Sequence, residues 1–488
     1  MKKPEGPIKH IVVLMLENRS FDHMLGFLPL NDLNGLKGNE SNKDEQGKDI
    51  VVSSTAEFIV KPDPNHEFKD VNEQLFDVYS DSVDPNGVPP GKRNSGFVKN
   101  YQRTIKNNSD NPYNSYNSYN SGQVMRCFSP GRLPALSTLA KHYTLCDNWF
   151  SSVPSSTWPN RFYVHAATSR GHLHTPSAFQ GVENIADDLF SNSYQMRTIY
   201  ENLQDSGYSW RVFYSDFSLC FLFKSLWDYK EHFSPLKDFF DQVECGCLPS
   251  YSFLEPRHFG FFPNNQHASH DVRFGENLIA KVYNAIRSNK EIWEKTLLVI
   301  LYDEHGGFYD HVFPPTAISP DDISSEEKFM FNRLGVRVPA VLISPWLPQQ
   351  VDHTLYDHTS LLATVKIQFN LPNFLTRRDQ NANLFINNIL SSPRENTIGT
   401  ISIPFPSNSF SPTPSVSLSS HEKSCLASAE YLFINCLKEK QKTFEESDEG
   451  KALDFLMSVG KISEDISDKI LKAERFLHKT VQRFLAIL

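Results

Sequence analysis

Ile11-Val-Val-Leu-Met-Leu16 runs straight into Glu17-Asn18-Arg19-Ser20-Phe21-Asp22-His23. Far downstream, Thr296-Leu-Leu-Val-Ile-Leu-Tyr302 runs into Asp303-Glu304-His305-Gly306-Gly307 in the same way. Each apolar, β-branched run reads as a strand of a parallel sheet, buried on both faces. In such sheets ligands sit beyond the carboxyl ends of the strands. Both acidic clusters therefore point to one face of one domain, where their carboxylates converge. The expectation is an α/β fold with a mostly parallel central sheet flanked by helices. Its carboxyl edge carries a hydrolytic, metal-assisted site.

The bulk numbers bound that reading. A chain of 488 residues has length for two or three domains. A net charge of −9 without a Lys/Arg cluster argues against a nucleic-acid surface. The 11–16 run is too short for a signal-peptide core, and no small-residue cleavage site follows it. No stretch of ~18 apolar residues exists to span a membrane. A cytoplasmic protein with at most peripheral membrane contact is expected, and no protein partner is identifiable. The seven cysteines are odd in number and scattered, and Cys245-Gly-Cys247 lacks a second Cys/His pair at zinc-ribbon spacing. Reduced thiols are the expectation.

Along the chain, strands are expected at 50–53, 57–60, 209–214, 296–302 and 340–344, with a short extended piece at 145–150. Helices are expected at 133–143, 158–168, 275–288 and 358–369, and Pro159 suits the first turn of the second. Asn114-Ser-Tyr-Asn-Ser-Tyr-Asn-Ser121 is a low-complexity surface insertion. Pro and Ser dominate 403–420, a linker by composition. The division is a catalytic domain over 8–395, that linker, and a C-terminal helical segment over 421–488 that packs on the catalytic body.

Glu17, Asn18, Asp303 and Glu304 bring three carboxylates and an amide carbonyl to two strand ends. Such carboxylates repel unless a cation neutralises them, and a divalent metal is the simplest one. All-oxygen ligation favours a hard ion such as Ca²⁺, Mg²⁺ or Mn²⁺ over zinc. The plain alternative is that Glu17 and Asn18 cap a helix beginning near Ser20 while Asp303-Glu304 ends a strand. Gly306-Gly307 permits positive φ and close approach to a ligand, and Asp310-His311 adds an acid and an imidazole nearby. In Val153-Pro-Ser-Ser-Thr157-Trp-Pro-Asn-Arg161, Thr157 stands at a helix start, where N–H groups and the dipole stabilise an oxyanion. A hydroxyl beside a metal loses its proton more easily, and Arg161 is suited to clamp a phosphoryl group. Ser155, Ser156 or Thr157 serving only as an N-cap is the competing reading, and Ser156 rivals Thr157 as nucleophile. His66, His267 and His270 lie in loops, from which each can donate a proton to a leaving alkoxide or hold phosphate oxygens.

Glu17-Asn-Arg-Ser-Phe-Asp-His23, Thr157-Trp-Pro-Asn-Arg161 with Ala167-Thr-Ser169, and Tyr302-Asp-Glu-His-Gly-Gly-Phe-Tyr-Asp-His311 resemble the phosphoesterase family. That family contains the bacterial and plant non-specific phospholipases C and certain bacterial acid phosphatases. The resemblance covers residues 8–395, and the short C-terminal segment looks more like the plant enzymes. It implies an alkaline-phosphatase-like fold and a phosphorylated-enzyme mechanism. It places metal ligation on Glu17, Asn18, Asp303 and Glu304, for one divalent ion among Ca, Mg, Mn and Zn. It places the nucleophile on Thr157, and acid/base or phosphate-contacting histidines on His66 and on His267 or His270. Two departures stand out: Trp158, where a smaller or polar residue is expected and the pocket mouth is reshaped, and Arg170, at a place expected to be His in the plant enzymes. The implied activity is hydrolysis of glycerophospholipids such as phosphatidylcholine to diacylglycerol and a phosphorylated head group. The rival is an acid phosphatase on small phosphomonoesters, which differs only in the pocket beyond the phosphate. The formylglycine signature of sulfatases is absent. An inactive lipid- or phosphate-binding protein would not need every element of the site.

Overall fold

Ten strands form in this computed structural model, which describes residues 2, 4–83, 90–109, 120–176, 194–260, 262–405, 422–426, 428–429 and 466–487. They are β1 (His10–Leu16), β2 (Ser41–Lys43), β3 (Asp49–Val51), β4 (Thr144–Cys146), β5 (Trp210–Tyr214), β6 (Phe233–Pro235), β7 (Tyr251–Glu255), β8 (Thr296–Tyr302), β9 (Ala340–Ile343) and β10 (Gln350–Asp352). Strands β2 and β3 make a small antiparallel hairpin. The other eight form one sheet in the order β10-β4-β9-β8-β1-β7-β5-β6. Every pairing is parallel except those of β9, which runs against both β8 and β4.

The two apolar runs read from the sequence are β1 and β8, hydrogen-bonded neighbours at the centre of the sheet. Their side chains are buried on both faces, as parallel strands covered by helices require. Leu16 pairs with Tyr302 and Leu14 with Leu254, so Glu17, Asp303 and Glu255 arrive together at one carboxyl edge.

The helices are α1 (Phe21–Leu25), α2 (Phe68–Phe76), α3 (Phe97–Ser109), α4 (Pro134–His142), α5 (Thr157–Ala166) and α6 (Ile199–Asp205). They continue with α7 (Leu236–Glu244), α8 (Val272–Ser288), α9 (Lys290–Trp293), α10 (His358–Gln368), α11 (Arg377–Gln380) and α12 (Ile466–Ile487). Helix α4 packs on α8, and α5 on α10. Asp357 caps α10 through a capping box with Ser360. Leu477, Val481 and Phe484 of α12 join the main core, with the Phe484 ring 5.3 Å from Trp227 and 5.8 Å from Phe221. Cys425, Leu426 and Ala429 are buried in that core as well.

Three expectations need correction. Residues 57–60 form no strand, while β7, which carries a Ser at its second position, was not anticipated. Cys245 and Cys247 form a disulfide rather than free thiols. Gly246, at φ +72° after α7, turns the chain so that their Cα atoms stand 5.5 Å apart, within disulfide range. Cys127, Cys146 and Cys220 are buried free thiols, and Cys425 is buried in the core. Most of the low-complexity tract, of the Pro/Ser-rich stretch and of 421–441 lies outside the described residues.

Candidate active site

The sheet edge is shaped by two tight turns that interlock. Asn18 leaves β1 at φ 54°, a left-handed conformation that Asn tolerates better than most residues. Its N–H donates to Asp303 Oδ1 (3.0 Å), and Arg19 N–H donates to the carbonyl of Glu304 (2.9 Å). Gly306 and Gly307 also have positive φ. A Cβ on Gly306 would sit 2.2 Å from the carbonyl oxygen of Asn18, and one on Gly307 would sit 2.7 Å from that of Asn65. The paired glycines thus serve the close approach of the chain to itself.

The second wall is the start of α5. Ser156 is its N-cap residue but makes no side-chain cap bond. The turn is held instead by Asn160, whose Oδ1 accepts from Val153 N–H (2.9 Å) and whose Nδ2 donates to the carbonyls of Val153, Ser155 and Ser156. Ser155 donates to the carbonyl of Leu173, and Ser156 Oγ accepts from the N–H and hydroxyl of Thr175, both at 3.0 Å. With its neighbours so engaged, the buried Thr157 hydroxyl donates to Asn18 Oδ1 at 3.3 Å. This contact joins the two walls. Trp158 does not stand at a pocket mouth: it is buried, its ring edge-on to Phe162 at 6.3 Å. Arg170 is on the surface and donates to the carbonyl of Gln195 (2.7 Å).

Arg161, expected to clamp a phosphoryl group, directs its buried guanidinium at three carboxylates. Nε donates to Asp303 Oδ2 (3.1 Å), one terminal nitrogen to Glu255 Oε2 (2.9 Å) and the other to Glu17 Oε1 (3.1 Å). Burial opposes its charge, yet the three acids hold its pKa above the ordinary arginine value. Much of the repulsion assigned to a metal is thus relieved by an arginine. Asn265 donates to Glu17 Oε2 (2.7 Å), and His258 Nδ1 lies 3.3 Å from Glu17 Oε1. Burial works against a charged His258, but Glu17 prevails and raises its pKa to about 9. His358 Nε2 donates to the carbonyl of Asp303 (2.6 Å), and burial lowers its pKa to about 4. Glu255, His258, Asn265 and His358 were missed in the sequence. Asn265 stands two residues before His267, within a loop already singled out.

His66 donates from Nδ1 to the carbonyl of Pro64 (2.8 Å). Its Nε2 lies 3.1 Å from Asn18 Nδ2 and 3.7 Å from Glu304 Oε1. Burial lowers its pKa, but Glu304 and then Asp63 outweigh this and raise it to about 9. The His267 ring is 6.3 Å from that of His66, with Nε2 3.4 Å from Asp63 Oδ2. His270 donates from Nδ1 to Asn265 Oδ1 (2.8 Å). Glu304 Oε2 accepts from Gly306 N–H (2.7 Å), whereas its buried Oε1 has no hydrogen-bond partner among the described residues. An orphaned carboxylate oxygen close to Thr157's partner Asn18 fits a cation. Glu17 and Asp303 are already engaged by Arg161. Two other groups gather possible ligands: His165, Cys220 and Glu255, and Asp22, Asp310 and His311. An arginine occupies the acids of each, Arg161 on Glu255 and Arg337 on Asp22 and Asp310 at 2.9 Å. His311 belongs to the Arg337 cluster, 2.7 Å from Asp22 Oδ2.

The 172–176 segment behind Ser156 is pinned by His174, which lies 2.9 Å from Glu67 and 2.6 Å from Glu327. Burial disfavours the imidazolium, but the two glutamates prevail and raise its pKa to about 9. A raised folded-state pKa gives stabilisation that is complete below the unfolded value of 6.5 and lost as pH climbs through about 9. Wild type and His174→Gln should therefore differ in Tm at pH 6 and converge by pH 10 in thermal melts. An equal difference at both pH values would count against the clamp.

The phosphoesterase family profile matches residues 8–372. Non-specific phospholipase C1 of Arabidopsis thaliana is 40% identical over 424 residues, covering 80% of this chain and 73% of its own. Non-specific phospholipase C3 of the same plant is 38% identical, covering 77% and 72%. Phospholipase C B of Mycobacterium tuberculosis is 28% identical, covering 75% and 74%. Among solved structures, an alkaline phosphatase superfamily protein from Vibrio parahaemolyticus superposes with a TM-score of 0.32 at 12% identity, covering 52% and 65%; that likeness adds nothing to the topology described above. The sheet edge, the α5 turn and the match across the catalytic body agree, and the chain belongs to the phosphoesterase family, as a hydrolase of phosphoester bonds.

Proposed function

We propose that this phosphoesterase is a phospholipase C, cleaving the bond between phosphorus and the diacylglycerol oxygen of glycerophospholipids such as phosphatidylcholine. The observation that carries it is the Thr157 hydroxyl at the start of α5, set on Asn18 above the sheet-end carboxylates. The relatives named above, phospholipases C in plants and a bacterium, support the substrate class. A buried apolar cluster of Phe68, Val153, Tyr163, Leu173 and Phe331 packs behind the turn that carries Thr157 and holds it in place.

Thr157 Oγ attacks phosphorus in line with the leaving oxygen. Its proton passes to solvent water as the new O–P bond forms and the P–O bond to diacylglycerol breaks. His66, held by Pro64 and beside Glu304, gives a proton to the leaving alkoxide, with His267 next to it on the same wall. Water then cleaves the phosphothreonine and releases the phosphorylated head group. A divalent ion held by Glu304 and Asn18 would supply positive charge that eases loss of the hydroxyl proton and steadies the phosphoryl oxygens. Arg161 is a positioning residue that fixes Glu17 and Asp303. The protein meets lipid as a peripheral protein; no helix among the described residues is long and apolar enough to cross a membrane.

The test is release of diacylglycerol from phosphatidylcholine vesicles, set against hydrolysis of p-nitrophenyl phosphate by the same preparation. Diacylglycerol release is the expected result. Turnover of the monoester alone would make the protein a phosphatase, and turnover of neither would leave a binding protein.

A further inference from the structure

The two ring nitrogens of His270 face different parts of the chain. Nδ1 donates to Asn265 Oδ1 (2.8 Å), and Asn265 in turn donates to Glu17 Oε2 (2.7 Å) and accepts from Glu17 N–H through its carbonyl (2.8 Å). Nε2 is buried without a hydrogen-bond partner among the described residues, and it faces Glu422 Oε1 at 3.6 Å. Glu422 belongs not to the catalytic body but to the helical stretch 422–426 beyond the Pro/Ser-rich segment. Its carboxylate is only 4% exposed and the His270 side chain 2%, so the pair meets inside the protein. Ser424 in the same stretch donates to the carbonyl of Pro176, next to the Thr175 that holds Ser156, and Cys425 and Leu426 are anchored in the core.

A buried carboxylate is costly unless it serves a partner; the charge of Lys61 acts on Glu422, and the buried His270 imidazole faces it from the catalytic edge. We infer that Glu422 is a positioning residue of the active site. Through His270 and Asn265 it fixes Glu17, so the C-terminal segment completes the wall of the catalytic edge. It also ties that wall to the 172–176 segment behind the α5 turn. This role rests on the phospholipase C reading, because it concerns the geometry of the same site.

The experiment measures kcat and KM for p-nitrophenylphosphorylcholine, with Tm alongside, in the full chain carrying Glu422→Gln, Glu422→Asp, His270→Asn or Glu422→Gln with His270→Asn. Glu422→Gln should lower kcat by about 10- to 100-fold, as loss of an outer partner of a catalytic group does. KM should stay unchanged and Tm nearly so. Glu422→Asp, which keeps the charge, should recover part of the rate. If the two residues act as one chain, the double variant is no slower than His270→Asn alone. Wild-type kcat in Glu422→Gln overturns the inference. So does a double variant whose loss equals the product of the two single losses, and so does a fall in Tm that accounts for the lost rate in every variant. An inactive wild-type protein would instead bring down the phospholipase C reading, and this role with it.

Discussion

Thr157→Ala loses turnover by about four orders of magnitude or more, the scale seen when a covalent nucleophile is removed. The fold barely notices. Among the described residues the hydroxyl has one hydrogen bond, to Asn18 at 3.3 Å, and the methyl lost on truncation is worth about 1 kcal/mol of burial. Thr157→Ser keeps an oxygen in place and retains most of the rate. Ser156→Ala separates the two candidate nucleophiles. Its Oγ is occupied by Thr175, so the substitution loosens the 172–176 segment without removing the attacking group. Initial rates of diacylglycerol release for the three variants decide the matter. A Thr157→Ala enzyme within tenfold of wild type would refute Thr157 as the nucleophile.

Arg161→Met is expected to be the most damaging substitution for stability. The guanidinium is fully buried among Glu17, Glu255 and Asp303, and taking it away leaves carboxylates in the interior with their neutralising partner gone. Breaking a buried pair in this way costs about 3–5 kcal/mol. The deficit against wild type should narrow as pH falls, because burial already raises the pKa of Asp303 and loss of Arg161 raises it further, so protonation relieves the repulsion first in the variant. Arg161→Lys rescues little, since an ammonium does not match a three-way planar fork. Urea unfolding at pH 5 and pH 8 reads both effects. Wild-type stability in Arg161→Met at pH 8 would mean that some other cation already neutralises the three acids.

The two central strands and their acidic ends were legible because a largely apolar run of six or seven residues that stops at a charge fits a buried parallel strand and little else in an α/β protein. The α5 turn was legible from Pro159 and the run of hydroxyl residues before it. What stayed hidden depended on register and on distance along the chain. Glu255 sits at the end of a five-residue strand broken by Ser252, and only its pairing with β1 shows that it meets Arg161. Repulsion among Glu17, Asp303 and Glu304 announced that a cation was needed but not which one, so a metal was expected where the structure also places an arginine. Asn265 acts through hydrogen bonds to other side chains, and such relays leave no periodic trace in a sequence. Trp158 looked like a specificity determinant because it lies beside Thr157, yet successive residues of a helix point about 100° apart, and its ring went to the core.

The register of β1 against β8 has a consequence for how such an enzyme diversifies. Glu17 and Asp303 inherit their separation from a backbone ladder in which Leu16 faces Tyr302, so the reacting centre is built into the scaffold. The 172–176 and 262–270 segments, by contrast, are irregular backbone attached to that scaffold by a few side-chain bonds. Selection can rewrite the parts of those segments that lie away from Ser156 and Asn265 while the sheet-end carboxylates stay in place. One hydrolytic apparatus can thereby be inherited intact by descendants that act on different phosphoesters.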